Sequence, residues 1–277
     1  MRCAVLGSPI AHSLSPTLHR AAYAELGLHW RYDAIEVTEP ELAGFVDGLG
    51  PEWRGLSLTM PLKRSVLPLL DEVSDTVAAA RAANTVLLEP DGRRRGDNTD
   101  VPGMCAALAE RGLDAPASAL LLGGGATATS ALVALSRLGC GDVTVAVRSP
   151  ERAHELVAVS ETLTETTIRL ARVDELTPGR YDLLVTTIPA AAQQPLTALV
   201  AQAGGLFEVR YDPWPTPLAE AALVAGQPVV GGLDLLVHQA VGQVELMTGR
   251  RPAPLAAMRS ALTKPVDASA QPDRPAG

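Results

Sequence analysis

The chain has 277 residues, of which 47% are hydrophobic and 19% are charged, a composition typical of soluble globular proteins with ample core. Its formal net charge of −8 excludes a nucleic-acid-binding role that depends on a basic surface. No stretch resembles a signal peptide or a membrane span, and three widely spaced cysteines predict reduced thiols. The histidines show no metal-ligand spacing. We therefore expect a cytoplasmic protein without a metal site or membrane contact.

Strand and helix patterns alternate through the first part of the chain. Ser15 and Pro16 supply an N-cap and a first-turn proline for the first helix. The predicted strands cover residues 2–6, 30–37 and 55–59, with a hairpin of 85–88 and 93–96. The predicted helices cover residues 15–26, 39–49, 61–70 and 101–111.

The alternation continues after residue 116 with a different start, an apolar strand that runs directly into a glycine-rich turn. The predicted strands here cover residues 117–122, 142–147, 182–187, 205–211 and 228–230. One predicted helix follows the glycine-rich turn and ends near residue 139. The other predicted helices cover 151–159, 232–249 and 252–262. This order predicts an α/β protein with mainly parallel sheet and two domains. The first domain is residues 1–102 joined by 232–262, the second is 103–231, and the polar segment 263–277 is expected to be disordered.

The turn after the strand at 117–122 matches a dinucleotide-binding fingerprint, with Gly123, Gly125 and Ala128 at the required spacing. The first glycine permits a tight turn, the second lets the backbone approach a pyrophosphate, and the small third residue lets helix and strand pack closely. A flexible glycine turn is the alternative. The expected cofactor-binding residues of this loop are Gly123, Gly124, Gly125, Ala126 and Thr127.

The end of the next strand indicates which dinucleotide is bound. An NAD site usually has an acidic residue there, for the ribose 2′-hydroxyl. This chain has Arg148 and Ser149, with Arg152 shortly after. Arginine donors suit a 2′-phosphate, and arginine at the start of a helix is otherwise unfavourable with the helix dipole. The three residues therefore favour NADP, although both arginines could instead be solvated.

Lys63 is one of only two lysines in a chain rich in arginine. An ammonium can release and regain a proton when its surroundings tune it, whereas a guanidinium stays charged. Lys63 is therefore an acid–base candidate, and Asp100, on a polar turn, is its expected carboxylate partner. The alternative is an ordinary surface lysine.

Two hydroxyls, those of Ser13 and Ser15, lie two residues apart just before the first helix. Together they can hold an anionic or polyhydroxyl ligand. A serine that only caps the helix is the alternative for Ser15, and the two roles can coexist.

Several motifs occur in one order along nearly the whole chain. They are Ser13-x-Ser15, residues 59–63, 83–85 and 96–100, the glycine loop, residues 187–189, Tyr211 with 216–218, and Gly232 with 236–240. In these motifs the chain resembles the shikimate dehydrogenase family. The resemblance implies an N-terminal α/β substrate domain, a Rossmann-like NADP-binding domain and a cleft between them. It also implies reduction of 3-dehydroshikimate to shikimate with NADPH, in aromatic amino-acid biosynthesis.

The resemblance also assigns roles to individual residues. Lys63 and Asp100 would form the catalytic pair, and Ser13 with Ser15 would hold the substrate carboxylate. Further expected substrate contacts are Thr59, Asn84, Tyr211 and Gln239, and further cofactor contacts are Thr187 and Gly232.

Three positions depart from the pattern that the family commonly shows. Leu235 replaces a methionine near the nicotinamide, Glu208 an aspartate and Val147 an asparagine. Two alternatives stay open: a quinate/shikimate dehydrogenase of relaxed specificity, and a catalytically weak NADP-binding sensor. The sequence leaves the oligomeric state open, with a homodimer as one alternative.

Overall fold

The computed structural model, which describes residues 1–150, 153–176 and 179–263, contains two six-stranded sheets. The strands of the first sheet are β1 (Arg2–Gly7), β2 (Arg31–Glu36), β3 (Trp53–Leu58), β4 (Glu72–Val73), β5 (Thr85–Leu88) and β6 (Arg94–Asp97). They lie in the order β2-β1-β3-β5-β6-β4. Because β5 runs antiparallel to β3 and β6, its start lies at the same edge as the ends of β1, β3 and β6. Loops from four strands therefore meet at this edge.

The second sheet is parallel throughout. Its strands are β7 (Ser118–Leu122), β8 (Asp142–Val147), β9 (Thr167–Arg172), β10 (Leu183–Thr186), β11 (Leu206–Glu208) and β12 (Val229–Val230). The order β12-β11-β10-β7-β8-β9 is that of the doubly wound dinucleotide-binding fold. The strand order reverses between β7 and β10, and such folds bind ligands at that point, beyond the carboxyl ends of the strands.

Helices cover both sheets. They are α1 (Ser15–Glu25), α2 (Glu39–Asp47), α3 (Leu62–Ser65), α4 (Asp75–Ala80), α5 (Asp100–Glu110), α6 (Ala126–Arg137), α7 (His154–Ser160), α8 (Pro217–Val224), α9 (Gly232–Thr248) and α10 (Leu255–Thr263). Short 3₁₀ turns cover Leu67–Leu69, Val173–Glu175, Ala190–Ala192 and Gln194–Gln202.

Strand β7 shows why the second sheet is covered on both faces. Alternate side chains point to opposite faces of a strand. Ala119 and Leu121 pack into one buried cluster, while Leu120 and Leu122 pack into another on the opposite face. All four are at most 1% exposed, as a central parallel strand requires.

Helices α5 and α9 pack against each other unusually closely. A Cβ added at Gly103 would lie 2.8 Å from the backbone nitrogen of Gln239, and one added at Gly242 would lie 3.1 Å from Thr99 Cγ2. Glycine at both positions therefore lets the helices approach. The result is that the first residues of α5 lie beside the middle of α9.

Most of the predicted elements are confirmed, with differences of a few residues at their ends. The prediction that Ser15 caps α1 is wrong: Leu14 occupies the N-cap and Ser15 is the first helical residue. The helix predicted to begin at 151 is described only from His154, and residues 151–152 lie outside the described residues. Two strands and two α-helices were not predicted, namely β4, β9, α4 and α8.

The two-domain division stays a prediction. Its border between residues 102 and 103 falls inside α5, which packs against both α6 and α9. Of the segment 263–277, Thr263 ends α10, and the remainder lies outside the described residues.

Candidate active site

A cleft of about 390 Å³ lies where loops of the two sheets face each other. Many of the predicted site residues line it. They are Ser13, Ser15, Thr59, Lys63, Asn84, Asp100, Thr127, Thr187, Tyr211, Gly232 and Gln239. The cleft therefore collects groups from distant parts of the sequence, from Ser13 at one end to Gln239 at the other.

Lys63 and Asp100 form an ion pair on one wall of the cleft. Lys63 lies in α3, just beyond β3, and Asp100 is the first residue of α5, just beyond β6. Their Nζ and Oδ2 atoms are 2.6 Å apart, and the side chains are only 13% and 6% exposed. Charge-assisted hydrogen bonds of this length are strong, and the low exposure shows that the pair is largely shielded from water.

Asn84 holds the other oxygen of the carboxylate. Its Nδ2 donates to Asp100 Oδ1 at 2.9 Å and to Thr99 Oγ1 at 2.9 Å. Its Oδ1 accepts from the Thr99 backbone N–H at 2.8 Å. The two oxygens of Asp100 thus have different partners, one a carboxamide and one an ammonium.

Gln239 projects from α9 towards the Asn84 carboxamide, to which it makes only a long hydrogen bond. Its Oε1 lies 3.4 Å from Asn84 Nδ2, and its Nε2 donates to the Leu236 backbone oxygen at 2.8 Å. The residue is 7% exposed. Its carboxamide therefore has hydrogen-bonding capacity left for a ligand.

The serine loop closes one end of the cleft. The backbone N–H of Ser15 donates to Ser13 Oγ at 3.3 Å, and Ser15 is 5% exposed. The Tyr211 hydroxyl is hydrogen-bonded to the backbone of Leu14, and burial raises the pKa of this tyrosine. Tyr211, which follows a strand of the second sheet, thus reaches the loop that follows the first strand of the first sheet.

Along the second sheet, the predicted cofactor residues and the predicted substrate contact Tyr211 follow adjacent strands in one row. Arg148 follows β8, the glycine loop follows β7, Thr187 follows β10, and Tyr211 lies beyond β11. Adjacent strands are about 4.8 Å apart, so the row extends over roughly 15 Å. An extended ligand such as a dinucleotide fits this layout, with one end at Arg148 and the other at the cleft.

The glycines of the loop differ in what surrounds them. Gly123 has φ of +120°, which side-chain-bearing residues rarely adopt, and a Cβ there would collide with Thr187 Oγ1. A Cβ at Gly124 would lie 3.2 Å from Val147 Cγ1, whereas one at Gly125 would meet no described atom within 4 Å. Gly125 is the N-cap of α6. The open space at a helix N-terminus suits a phosphate.

Arg148 is exposed and has no ion pair with any other residue in the described part of the chain. It precedes α7 by six residues, since that helix begins at His154, so the helix-dipole argument for Arg148 is wrong. Ser149 is half-buried. Arg152 lies outside the described residues.

The three departures from the family pattern are all accommodated. Leu235 is 6% exposed and lines the cleft, and Val147 packs beside Gly124. Glu208 is fully buried and accepts hydrogen bonds from Gln193 Nε2, Thr216 Oγ1 and the Arg210 N–H at 2.7–2.9 Å. Burial raises its pKa. Through these hydrogen bonds the Glu208 carboxylate fixes the position of the segment that carries Tyr211.

Sequence reasoning assigned no role to a second set of polar residues that lie at the floor of the cleft or just behind it. They are His19, Ser57, Thr85, Thr99 and Gln243. The sequence carried one signal for them: Gln243 is four residues after Gln239, and residues at that spacing share a helix face.

Within the described residues, no helix is long and apolar enough to cross a bilayer. No group of three potential metal ligands occurs in this part of the chain either. Cys3, Cys105 and Cys140 are free thiols.

Comparisons with known proteins agree with one another. Residues 5–86 match the family model of the shikimate dehydrogenase substrate binding domain. Residues 232–263 match that of the shikimate 5'-dehydrogenase C-terminal domain. The shikimate dehydrogenase (NADP(+)) of Synechococcus sp. (strain JA-2-3B'a(2-13)) is 36% identical over 274 residues, with 93% of each chain covered.

Solved structures lead to the same family. The structure of Mycobacterium tuberculosis shikimate dehydrogenase superposes with a TM-score of 0.86 at 43% identity, covering 95% of this chain and 98% of that one. The Thermus thermophilus shikimate 5-dehydrogenase in complex with NADP(H) and shikimate gives 0.80 at 32% identity, with the same coverage. With its fold, its cleft and its relatives in agreement, this chain belongs to the shikimate dehydrogenase family.

Proposed function

We propose that the protein reduces 3-dehydroshikimate to shikimate with NADPH, and that Lys63 and Asp100 are the acid–base pair of this reaction. The observation that carries the assignment of residues is the 2.6 Å ion pair between them, nearly shielded from solvent on the wall of the cleft. NADPH, when bound, supplies the hydride.

Lys63 has the geometry of a proton donor to the substrate's carbonyl oxygen. Negative charge develops on that oxygen as the carbonyl is reduced. An ammonium beside it stabilises the charge and delivers a proton. Asp100 holds the ammonium in place through Oδ2, while Asn84 occupies Oδ1. The carboxylate is thereby kept in one orientation beside the Lys63 ammonium, and Lys63 itself lines the cleft.

The polar groups around this pair suit a small polyhydroxylated acid. The Ser13 and Ser15 hydroxyls lie at one end of the cleft, where they would hold the carboxylate. Asn84, which binds Asp100, and Gln239, which approaches Asn84, lie beside the ion pair. Thr59 lines the same cleft, and these three residues would contact hydroxyls. Tyr211 would complete the wall of this pocket.

The second sheet fits NADP. The open space at Gly125 and the start of α6 suit the pyrophosphate. Exposed Arg148, with Ser149 beside it, suits the 2′-phosphate. Thr187 and Gly232 line the cleft at the other end of this row, where they would adjoin the nicotinamide.

Loss of NADPH absorbance on addition of 3-dehydroshikimate tests the function, with NADH and 3-dehydroquinate run in parallel. We expect fast turnover only with NADPH and 3-dehydroshikimate. Comparable rates with 3-dehydroquinate would indicate the relaxed-specificity enzyme. NADPH binding without turnover would contradict the assignment and indicate a sensor.

The variant Arg148→Ala tests the cofactor assignment in the same assay. Loss of a charge-assisted contact to the 2′-phosphate costs about 1.5–3 kcal/mol, or roughly 10- to 150-fold in the KM for NADPH. The KM for NADH, which has no 2′-phosphate, should stay unchanged. An equal increase for both cofactors would show that Arg148 does not select between them.

A further inference from the structure

Gln243 lies at the floor of the cleft, yet its carboxamide is already fully occupied by the protein. It is 1% exposed. Its Nε2 donates to the Asn84 backbone oxygen at 3.1 Å and to Thr85 Oγ1 at 3.1 Å. Its Oε1 lies 2.8 Å from Ser57 Oγ and 3.2 Å from His19 Nε2. All four hydrogen-bonding positions of the amide are therefore filled.

The orientation of this amide follows from its partners. The Asn84 backbone oxygen can only accept, so the –NH₂ group of Gln243 must face it. Oε1 then faces His19, which must donate from Nε2. Burial lowers the pKa of His19 to about 3, so the neutral ring has one hydrogen. The other ring nitrogen, Nδ1, accepts from the Tyr23 hydroxyl at 3.3 Å.

From Gln243, the hydrogen bonds continue from donor to acceptor towards the ion pair of Lys63 and Asp100. The Thr85 hydroxyl accepts from Gln243 and donates to Asn84 Oδ1 at 2.9 Å. Asn84 Nδ2 in turn donates to Asp100 Oδ1 at 2.9 Å. On the far side, the Tyr32 hydroxyl donates to Ser57 Oγ at 2.6 Å, and Ser57 donates to Gln243. Gln243, Thr85 and Asn84 therefore each donate a hydrogen bond to the next residue of a path that ends at Asp100.

We propose that Gln243 and Thr85 are positioning residues for the reduction: together they hold the Asn84 carboxamide with its –NH₂ group against Asp100. The proposal rests on the proposed function. Thr99 grips the same carboxamide from the opposite side, through its backbone N–H at 2.8 Å. A carboxamide rotated away from this clamp would bring Oδ1 towards the Asp100 carboxylate, and the repulsion would move Asp100 and Lys63 with it.

Burial supports a relay rather than a ligand contact at Thr85. Thr85 is 0% exposed, and Asn84, which lines the cleft, is 1% exposed. The hydroxyl of Thr85 therefore acts on the cleft only through its neighbour. Gln243 lines the cleft but has no free donor or acceptor to offer.

Three variants test the relay. Thr85→Val keeps the shape of the side chain and removes its hydroxyl, Thr85→Ser keeps the hydroxyl, and Gln243→Met removes the amide at similar length. Groups that orient a functional residue from behind typically contribute about 10- to 100-fold. We expect kcat to fall roughly tenfold in Thr85→Val and up to about a hundredfold in Gln243→Met. Thr85→Ser should stay within about threefold of wild type, and the KM for both substrates should change less than kcat.

A kinetic isotope effect separates positioning from simple loss of fold. NADPH deuterated at the transferred hydrogen should give a larger effect on kcat in Thr85→Val and Gln243→Met, because the chemical step becomes slower relative to product release. A reduced folded fraction lowers kcat without changing that ratio. The double variant should be no slower than Gln243→Met alone, since both residues act along one path.

Equal losses in Thr85→Val and Thr85→Ser, or an unchanged isotope effect, would overturn the relay. Crystal structures of the two Thr85 variants decide the matter independently of turnover. Asn84 should rotate or move from Asp100 in Thr85→Val and stay in place in Thr85→Ser. If the wild-type enzyme shows no reduction of 3-dehydroshikimate, the proposed function fails, and the crystallographic comparison still supports or refutes the relay.

Discussion

The two sheets contribute different kinds of groups to the cleft. The first contributes buried side chains that already bind one another: Lys63 to Asp100 at 2.6 Å and Asp100 to Asn84 at 2.9 Å. The second contributes mainly backbone and empty space, as at Gly125, together with the exposed charge of Arg148. Reacting groups must keep their positions to within fractions of an ångström, which favours a preorganised network. A cofactor site instead needs room for a long ligand.

This contrast predicts that substitutions in the first sheet affect turnover, whereas those in the second affect cofactor affinity. Lys63→Ala is the strongest test. Loss of a positioned proton donor typically costs about 10²–10⁴-fold, so we expect kcat to fall by that amount. The Kd for NADPH, measured by fluorescence titration, should change less than about threefold, or about 0.7 kcal/mol.

Lys63→Arg is the matched control for charge. It keeps a cation beside Asp100 but cannot exchange a proton at neutral pH. We expect kcat to be nearly as low as in Lys63→Ala. Activity near that of the wild type in either variant would remove Lys63 from the chemistry and erase the contrast between the two sheets.

Two glycines of one loop sharpen the comparison. Gly125→Ala places a methyl group in open space next to the proposed pyrophosphate position, so the Kd for NADPH should rise roughly tenfold or more, equal to about 1.4 kcal/mol. Thermal stability should not change. Gly123→Ala imposes a side chain on a residue at φ +120°, so it should destabilise the fold by about 1–3 kcal/mol. Calorimetry and cofactor titration of both variants check this pair, and weaker cofactor binding only in Gly123→Ala would contradict it.

The buried polar network at the floor of the cleft has no direct part in turnover or cofactor binding, and its expected effect is on acid stability. Burial lowers the pKa of His19 from 6.5 to about 3 in the folded protein. The unfolded chain therefore binds a proton at a pH where the folded protein does not. The contribution of neutral His19 to the free energy of unfolding is fully present above the unfolded pKa of 6.5. It is lost as the pH falls towards about 3. The slope of this loss is at most about 1.4 kcal/mol per pH unit.

His19→Gln keeps a donor near Gln243 without a titrating ring. In urea unfolding, the free energy of unfolding of the wild type should fall between about pH 7 and pH 5 by about 2 kcal/mol more than that of the variant. The variant is expected to be less stable at neutral pH, because it loses the stacking on Tyr32 at 3.9 Å. An identical pH dependence in both proteins would show that folding does not lower the pKa of His19.

Sequence reasoning succeeded where local pattern and position coincide. The glycine fingerprint was correctly placed after a strand, since β7 ends at Leu122 and α6 begins at Ala126. It failed where strands are exposed or elements are short. β9 is a partly exposed edge strand with two arginines, so its pattern lacks the apolar run of β7. The missed helix α8 did have a signal, a capping Thr216 followed by Pro217.

The network around Asn84 could not be read from the sequence, because it depends on packing between distant elements. Gln243 and Asn84 are 159 residues apart, and they meet because α9 packs against β3 and β5. Local propensity carries no information about that packing. The pairing of Lys63 with Asp100 was expected from the scarcity of lysine and from family resemblance, and the individual roles of the site residues remain predictions.

Helix α9 begins at Gly232, against the Arg210 backbone near the proposed cofactor, and carries Gln239 to within 3.4 Å of Asn84. At about 1.5 Å per residue, these two positions are about 10 Å apart along one rigid helix. This stretch of α9 therefore fixes the distance between the proposed cofactor position and the polar residues around Asn84. An insertion or deletion of a single residue would turn Gln239 by roughly 100° and remove it from the cleft, so evolution can change the residues of this segment far more readily than its length.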